Sequence, residues 1–109
     1  MNRKKRALRA IHPGEFIREE ILSELHISQV DLADKLGVSR RAVNEIVGEK
    51  RAVSPDMALR LGRLFRSRPD FWLRLQVRWD LERAKRASAY KKEVRPLRAT
   101  PAFGPSSAS

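Results

Sequence analysis

From Gln29 to Gly48 the chain reads QVDLADKLGVSRRAVNEIVG, and its apolar positions describe two short amphipathic helices joined by a reversal at Gly37. Leu32, Ala33 and Leu36 share one face of the first helix, and Val43, Ile46 and Val47 share one face of the second, so each has a stripe to bury. Only a residue free to take positive φ suits the reversal cheaply, and Ser39 is a good N-cap for a helix beginning at Arg40. Ala33, four residues before Gly37, is small enough to let the two helices cross closely.

The same periodicity extends to both sides. His12-Pro13-Gly14-Glu15 opens an earlier helix that runs to about Leu25, with Phe16, Ile17, Ile21, Leu22 and Leu25 as a broad apolar face. Ser28 caps the helix that follows. After the loop Glu49–Val53, Ser54-Pro55-Asp56 supplies an N-cap, a proline at the first helical position and an acid in the first turn. That helix carries Met57, Ala58, Leu61, Leu64 and Phe65, and it breaks near Arg66 to Arg68, ahead of Pro69. A fifth helix begins at Pro69. It sets Trp72, Leu75 and Trp79 along one side, joined by Phe71 and Leu81, which is more aromatic surface than a five-helix core of this size easily buries. Trp72, Leu75 and Trp79 are therefore expected to meet a second copy of the chain. The alternative is that Phe71 and Trp72 pack back on helices one and four.

Composition narrows the class. With 109 residues and 41% hydrophobic content the chain suits one domain with one modest core. Its formal net charge of +11 favours polyanion partners, nucleic acid first among them. The absence of cysteine removes disulfides, thiolate zinc sites and cysteine nucleophiles, and fits a reducing cytoplasm. His12 and His26 are the only histidines, and no spacing of them with acids suggests a metal site or a triad, so no metal, no cofactor and no enzyme is expected. The basic start, MNRKKRALRA, precedes no long apolar run, so neither a secretory signal nor a bilayer span is expected. Residues 1–11 are expected to form a basic arm, either solvated or following DNA phosphates through Arg3, Lys4, Lys5, Arg6 and Arg9. Residues 12–86 are expected to form the helical domain, and 87–109 a flexible tail whose end is rich in Pro, Ala and Ser. Charge is unevenly placed: between His12 and Leu36 there are six acids against two bases. A basic partner could dock there, or the acids could simply complement helix dipoles.

Two crossed helices in a basic chain are the parts of a DNA reader, in which the second helix enters the major groove. Its outward face here would be Ser39, Arg40, Arg41, Asn44 and Glu45. Arginine can donate to guanine O6 and N7 together and asparagine can pair similarly with adenine, each worth about 1 to 3 kcal/mol of discrimination, so Arg41 and Asn44 are the leading base contacts. Glu45 either accepts from cytosine or orients Arg41. Gln29, at the start of the preceding helix, and Lys50 and Arg51, beyond the reader, are placed to hold phosphates.

The segments HPGEFIREEIL, ISQVDLADKLGVSRRAVNEIV, KRAVSPDMALRL and PDFWLRLQVRWDLE resemble the HigA-type antitoxins, a branch of the Cro/repressor helix-turn-helix (XRE) family of bacterial toxin-antitoxin operons. The resemblance covers residues 12 to 82. It implies an all-α, five-helix, lambda-repressor-like fold, and a homodimer that binds an inverted repeat in its own promoter. It also implies repression of the operon and a complex with a RelE/HigB-like, ribosome-dependent mRNA-cleaving toxin. Such a protein would be cytoplasmic, at the nucleoid when bound to its operator. A stand-alone dimeric repressor shares the same DNA chemistry, and an RNA or ribosome binder would use the charge without base readout. Members of the family usually have glycine at the position of His26 and a Gly-Thr-Ser-like segment at Arg66-Ser67-Arg68, so two helix ends here must close without their usual caps. Because a RelE-like toxin is itself basic, the acids Glu15, Glu19, Glu20 and Glu24 are the candidate toxin contacts.

Overall fold

The computed structural model describes residues 9–98, where the chain is all-helical. Arg3, Lys4, Lys5 and Arg6 of the expected arm, and the tail from 99 onward, lie outside the described residues. The first helical run, α1, passes without a break through Pro13–Phe16, Ile17–Leu22 and Ser23–Leu25. His12 caps it: its Nδ1 accepts a hydrogen bond from the Gly14 amide at 2.9 Å, and Pro13 occupies the first helical position. The middle stretch, Ile17–Leu22, is π-helical rather than α-helical. This wider turn keeps Ile17 and Ile21 in the core, at 2% and 6% exposure, but Leu25, expected on the same face, is 55% exposed. The sequence pattern assumes 3.6 residues per turn; a stretch with more residues per turn lags behind it, and the last residues rotate off the apolar face.

Four further helices have local starts and stops that the chain writes plainly. Helix α2, Gln29–Leu36, begins at a capping box in which Ser28 Oγ accepts from the Asp31 amide at 3.0 Å and the Ser28 amide donates to Asp31. It ends at Gly37, whose φ of 69° is left-handed. Helix α3, Arg40–Val47, starts where Ser39 Oγ accepts from the Ala42 amide. Helix α4, Pro55–Phe65, starts at Ser54, which accepts from Met57, and α5 covers Pro69–Ala87. His26 and Arg66 close α1 and α4 in the left-handed region, at φ 55° and 53°. No glycine is present at either end, so a side chain is carried there at some cost. A short sixth helix, α6, Tyr90–Glu93, lies within the segment expected to be tail.

The core gathers Leu32, Ala33, Leu36, Val43, Ile46, Ala58 and Leu61 from α2, α3 and α4 over Ile17 and Ile21 of α1. Trp72 belongs to it. The indole is 1% exposed, lies edge-on to Phe16 and Phe71, and donates from Nε1 to Ser67 Oγ at 3.0 Å. Trp72 therefore has no surface to offer a second copy of the chain. Leu75 packs against the core as well, and Trp79 stands edge-on to His12 at 5.7 Å. Of the side of α5 expected to meet a second copy, Trp72 is taken into the monomer by aromatic surface from α1 and α4, while Leu75 and Trp79 are half-buried. Gln76, buried beside these rings, accepts from the Val53 amide at 2.9 Å and donates to Asp80, which satisfies the backbone of the loop after α3.

Candidate nucleic-acid interface

Helix α3 exposes Arg40, Arg41 and Asn44 and buries Ala42, Val43, Ile46 and Val47, as an amphipathic helix on a core surface must. Asn44 Nδ2 donates to Gln29 Oε1 at 3.3 Å, so the first residue of α2 holds an exposed side chain of α3. Glu45 lies between two guanidinium groups: Arg41 at 3.1 Å and Arg51 at 2.6 Å. Hydrogen bonds from Arg41 and then Arg51 hold its carboxyl below the usual carboxylate range, so it stays ionised and orients both. This is the orienting role that the sequence left as one of two. Ser39, also expected on the reading face, has its hydroxyl oxygen engaged in capping α3. Lys50 and Arg51 are exposed just past the helix.

Three contacts hold α2 and α3 in place that no periodicity could show. Gly14 of α1 sits directly against the Ile46 carbonyl, where a Cβ would overlap that carbonyl. Arg18 donates to the Val47 carbonyl at 2.7 Å and pairs with Glu49 at 3.2 Å, which satisfies the last turn of α3. Arg60 of α4 donates to the Leu36 carbonyl at 2.9 Å while paired with Asp56, and so closes the end of α2. The reader is thereby clamped at the turn and at its far end.

The acids expected to meet a basic partner separate. Glu15 is 9% exposed and takes Arg9 Nη2 at 2.6 Å, so it faces inward and is not available to a docking protein. Its position in the first turn of α1, against the chain that precedes it, is the reason. Glu19 is half-buried near Arg18 at 3.6 Å, Glu20 is half-buried, and Glu24 is exposed. No group of three His, Cys, Asp or Glu among the described residues could hold a metal ion.

Burial pushes His12 below the ordinary histidine range, and its Nδ1 is already an acceptor for Gly14. The folded chain therefore keeps His12 neutral while the unfolded chain takes up a proton near pH ~6.5. Stability is complete above that pH and is lost as pH falls toward the lowered folded value. Urea unfolding at pH 7.5 and 5.5 should show the loss. In His12→Asn, which can cap but cannot titrate, the pH dependence should flatten; an unchanged slope would remove His12 from the account.

The helix-turn-helix family model matches residues 17–72. Virulence-associated protein I of Dichelobacter nodosus is 44% identical over 81 residues, which cover 74% of this chain and 75% of that protein. Antitoxin HigA-1 of Vibrio cholerae is 31% identical over 95 residues, covering 86% of this chain and 90% of that one. Among solved structures, the Pseudomonas aeruginosa antitoxin HigA with the higBA promoter superposes with a TM-score of 0.77 at 46% identity, over 82% of this chain and 99% of that one.

Proposed function

The chain belongs to the helix-turn-helix family that includes the HigA antitoxins, and on that premise we propose that it is a type II antitoxin and autorepressor. As a homodimer it reads an inverted repeat in its own promoter, and it neutralises a RelE-like mRNA-cleaving toxin. The observation that carries the DNA half is the exposed face of α3, where Arg41 and Asn44 are each held by a neighbour, Glu45 and Gln29. Side chains oriented before binding lose less freedom on a base edge. Arg40, Lys50 and Arg51 supply phosphate contacts around them. The promoter complex of the Pseudomonas protein supports this reading, and the likeness to the Pseudomonas and Vibrio antitoxins supports the toxin half. Glu19, Glu20 and Glu24 remain the acids that a basic toxin would meet. Action in the cytoplasm, at the nucleoid, follows from the same reading.

The surface between copies is the opposite side of α5 from the one the sequence suggests. Val77 and Leu81 are 55% and 54% exposed and continue from half-buried Leu73, one side chain per turn. Asp70 and Arg74 border one end of this stripe, and Glu82 and Lys85 the other. An antiparallel copy laid about Val77 brings Leu73 to Leu81, Asp70 to Lys85 and Arg74 to Glu82, which is the self-complementarity a two-fold interface requires.

The test is a footprint on the DNA upstream of the chain's own reading frame. Two symmetric half-sites about 34 Å apart are expected for the wild type. Val77→Glu, which places two like charges on the two-fold, should be monomeric by light scattering and lose the symmetric footprint. A dimer that survives this change would displace the interface, and asymmetric protection by the wild type would defeat the dimer. A small basic reading frame beside this one, toxic alone and silenced by this chain, checks the toxin half; its absence leaves a stand-alone repressor.

A further inference from the structure

A second cationic surface lies away from the reading face. Arg9, at the start of the described chain, closes over the later half of α5 to form a groove of about 420 Å³ lined also by Arg78, Trp79, Glu82, Arg83 and Arg86. Its charge is not internally neutralised. Glu15 takes Arg9, and Lys85 stands 3.8 Å from Glu82, but Arg78, Arg83 and Arg86 are exposed and pair with no carboxylate among the described residues. Neither the core nor the reading of bases gives these three guanidinium groups a role.

The groove's position relative to α3 is set by contacts already described. Trp79 stands edge-on to His12, which caps α1, and the next turn of α1 is seated through Gly14 on the Ile46 carbonyl of α3. Arg18 ties the same helix to Val47 and Glu49. The Glu49 carboxylate favours the charged forms of both Arg9 and His12, and Arg83 opposes that of His12. The loop after α3 is thus tied through Arg18 to the same helix, α1, whose cap Trp79 packs on.

We propose that this groove binds the phosphodiester backbone of duplex DNA outside the half-site read by α3, so that the protein's footprint extends outward from its recognition helix along the Arg9–Arg83–Arg86 edge. The inference rests on the DNA-reading function proposed above. A phosphate backbone is the occupant favoured by the chemistry: guanidinium forks match phosphate oxygens in pairs, and a row of them suits a periodic polyanion better than one small anion. A basic toxin would be repelled from this edge. Contacts here carry no sequence information; they add affinity and salt dependence.

The experiment uses the full chain and two duplexes from the DNA upstream of its reading frame: a core cut to the two half-sites read by α3, and that core with about ten base pairs of random sequence on each side, one further helical turn. The wild type should bind the longer duplex roughly 10-fold more tightly at about 0.1 M salt. The exposed double variant Arg83→Ala/Arg86→Ala should lose that gain, keep its affinity for the core, and show a salt slope on the longer duplex reduced by about 2. Arg41→Ala should do the reverse, losing core affinity while keeping the gain from the flanks. The proposal is overturned by a wild type indifferent to length, by a double variant that keeps the gain, or by one that weakens on both duplexes alike. A wild type that binds neither duplex would overturn the function on which it rests.

Discussion

Trp72→Ala should lower the unfolding free energy by about 3–5 kcal/mol, a large share of the roughly 5–15 kcal/mol available to a domain of this kind. The indole is enclosed by Phe16, Phe65 and Phe71, and its nitrogen is matched to Ser67, so truncation leaves a void that three rigid rings cannot fill and a hydroxyl without its donor. Urea unfolding followed by circular dichroism measures the loss. Trp72→Phe, which refills much of the volume but not the hydrogen bond, should recover most of it. The oligomeric state should be the same in all variants that remain folded. A loss below about 1 kcal/mol, together with a shift toward monomer, would return Trp72 to a surface between copies.

Gly14→Ala should cost about 2–3 kcal/mol or more, and it should weaken DNA binding beyond what the loss of fold explains. The added Cβ would overlap the Ile46 carbonyl, which is backbone and cannot swing aside as a side chain would. Either α1 lifts or the last turn of α3 moves. Arg18 and Glu49 are anchored to that same turn, so the displacement would spread to the loop carrying Lys50 and Arg51. Gly48→Ala provides the contrast: its nearest neighbour would be the Asn44 carbonyl at 3.2 Å, and its φ of −81° suits any residue. Denaturation together with DNA titration at a temperature where both variants are folded measures the difference. Equal, small effects of the two substitutions would show that α1 does not set the position of the reader.

How far the sequence carries can be seen in these same residues. The helix starts are legible because each is made within a few residues: Ser28 with Asp31, Ser39 with Ala42, Ser54 with Met57. The reading face is legible because amphipathic spacing alone decides which side of α3 is buried. What is not legible depends on partners far along the chain. Arg18 reaches a carbonyl 29 residues away and Arg60 one 24 residues away, and no local pattern marks either arginine as different from its neighbours. Gly14 is a glycine inside a helix start, where the usual reason is close approach of another backbone. Between the two placements open to Trp72 the sequence does not choose, because a count of aromatic residues says how much surface must be covered, and not which element covers it. Leu25 left its face because periodicity cannot foresee a π-helical turn. Glu15 shows the converse case: an acid in a first turn suits the dipole, and here a partner six residues earlier encloses it as well.

If α3 reads bases through Arg41 while its neighbours hold phosphates, the two kinds of residue differ in how they respond to a change of DNA sequence. Binding of Arg41→Ala and Lys50→Ala to the upstream operator duplex, and to a random duplex of equal length at the same salt, tests it most directly. Arg41→Ala should lose about 10- to 100-fold on the operator with little change on random DNA, whereas Lys50→Ala should lose a similar, smaller factor on both. Equal losses on the two duplexes for Arg41→Ala would contradict base reading through Arg41.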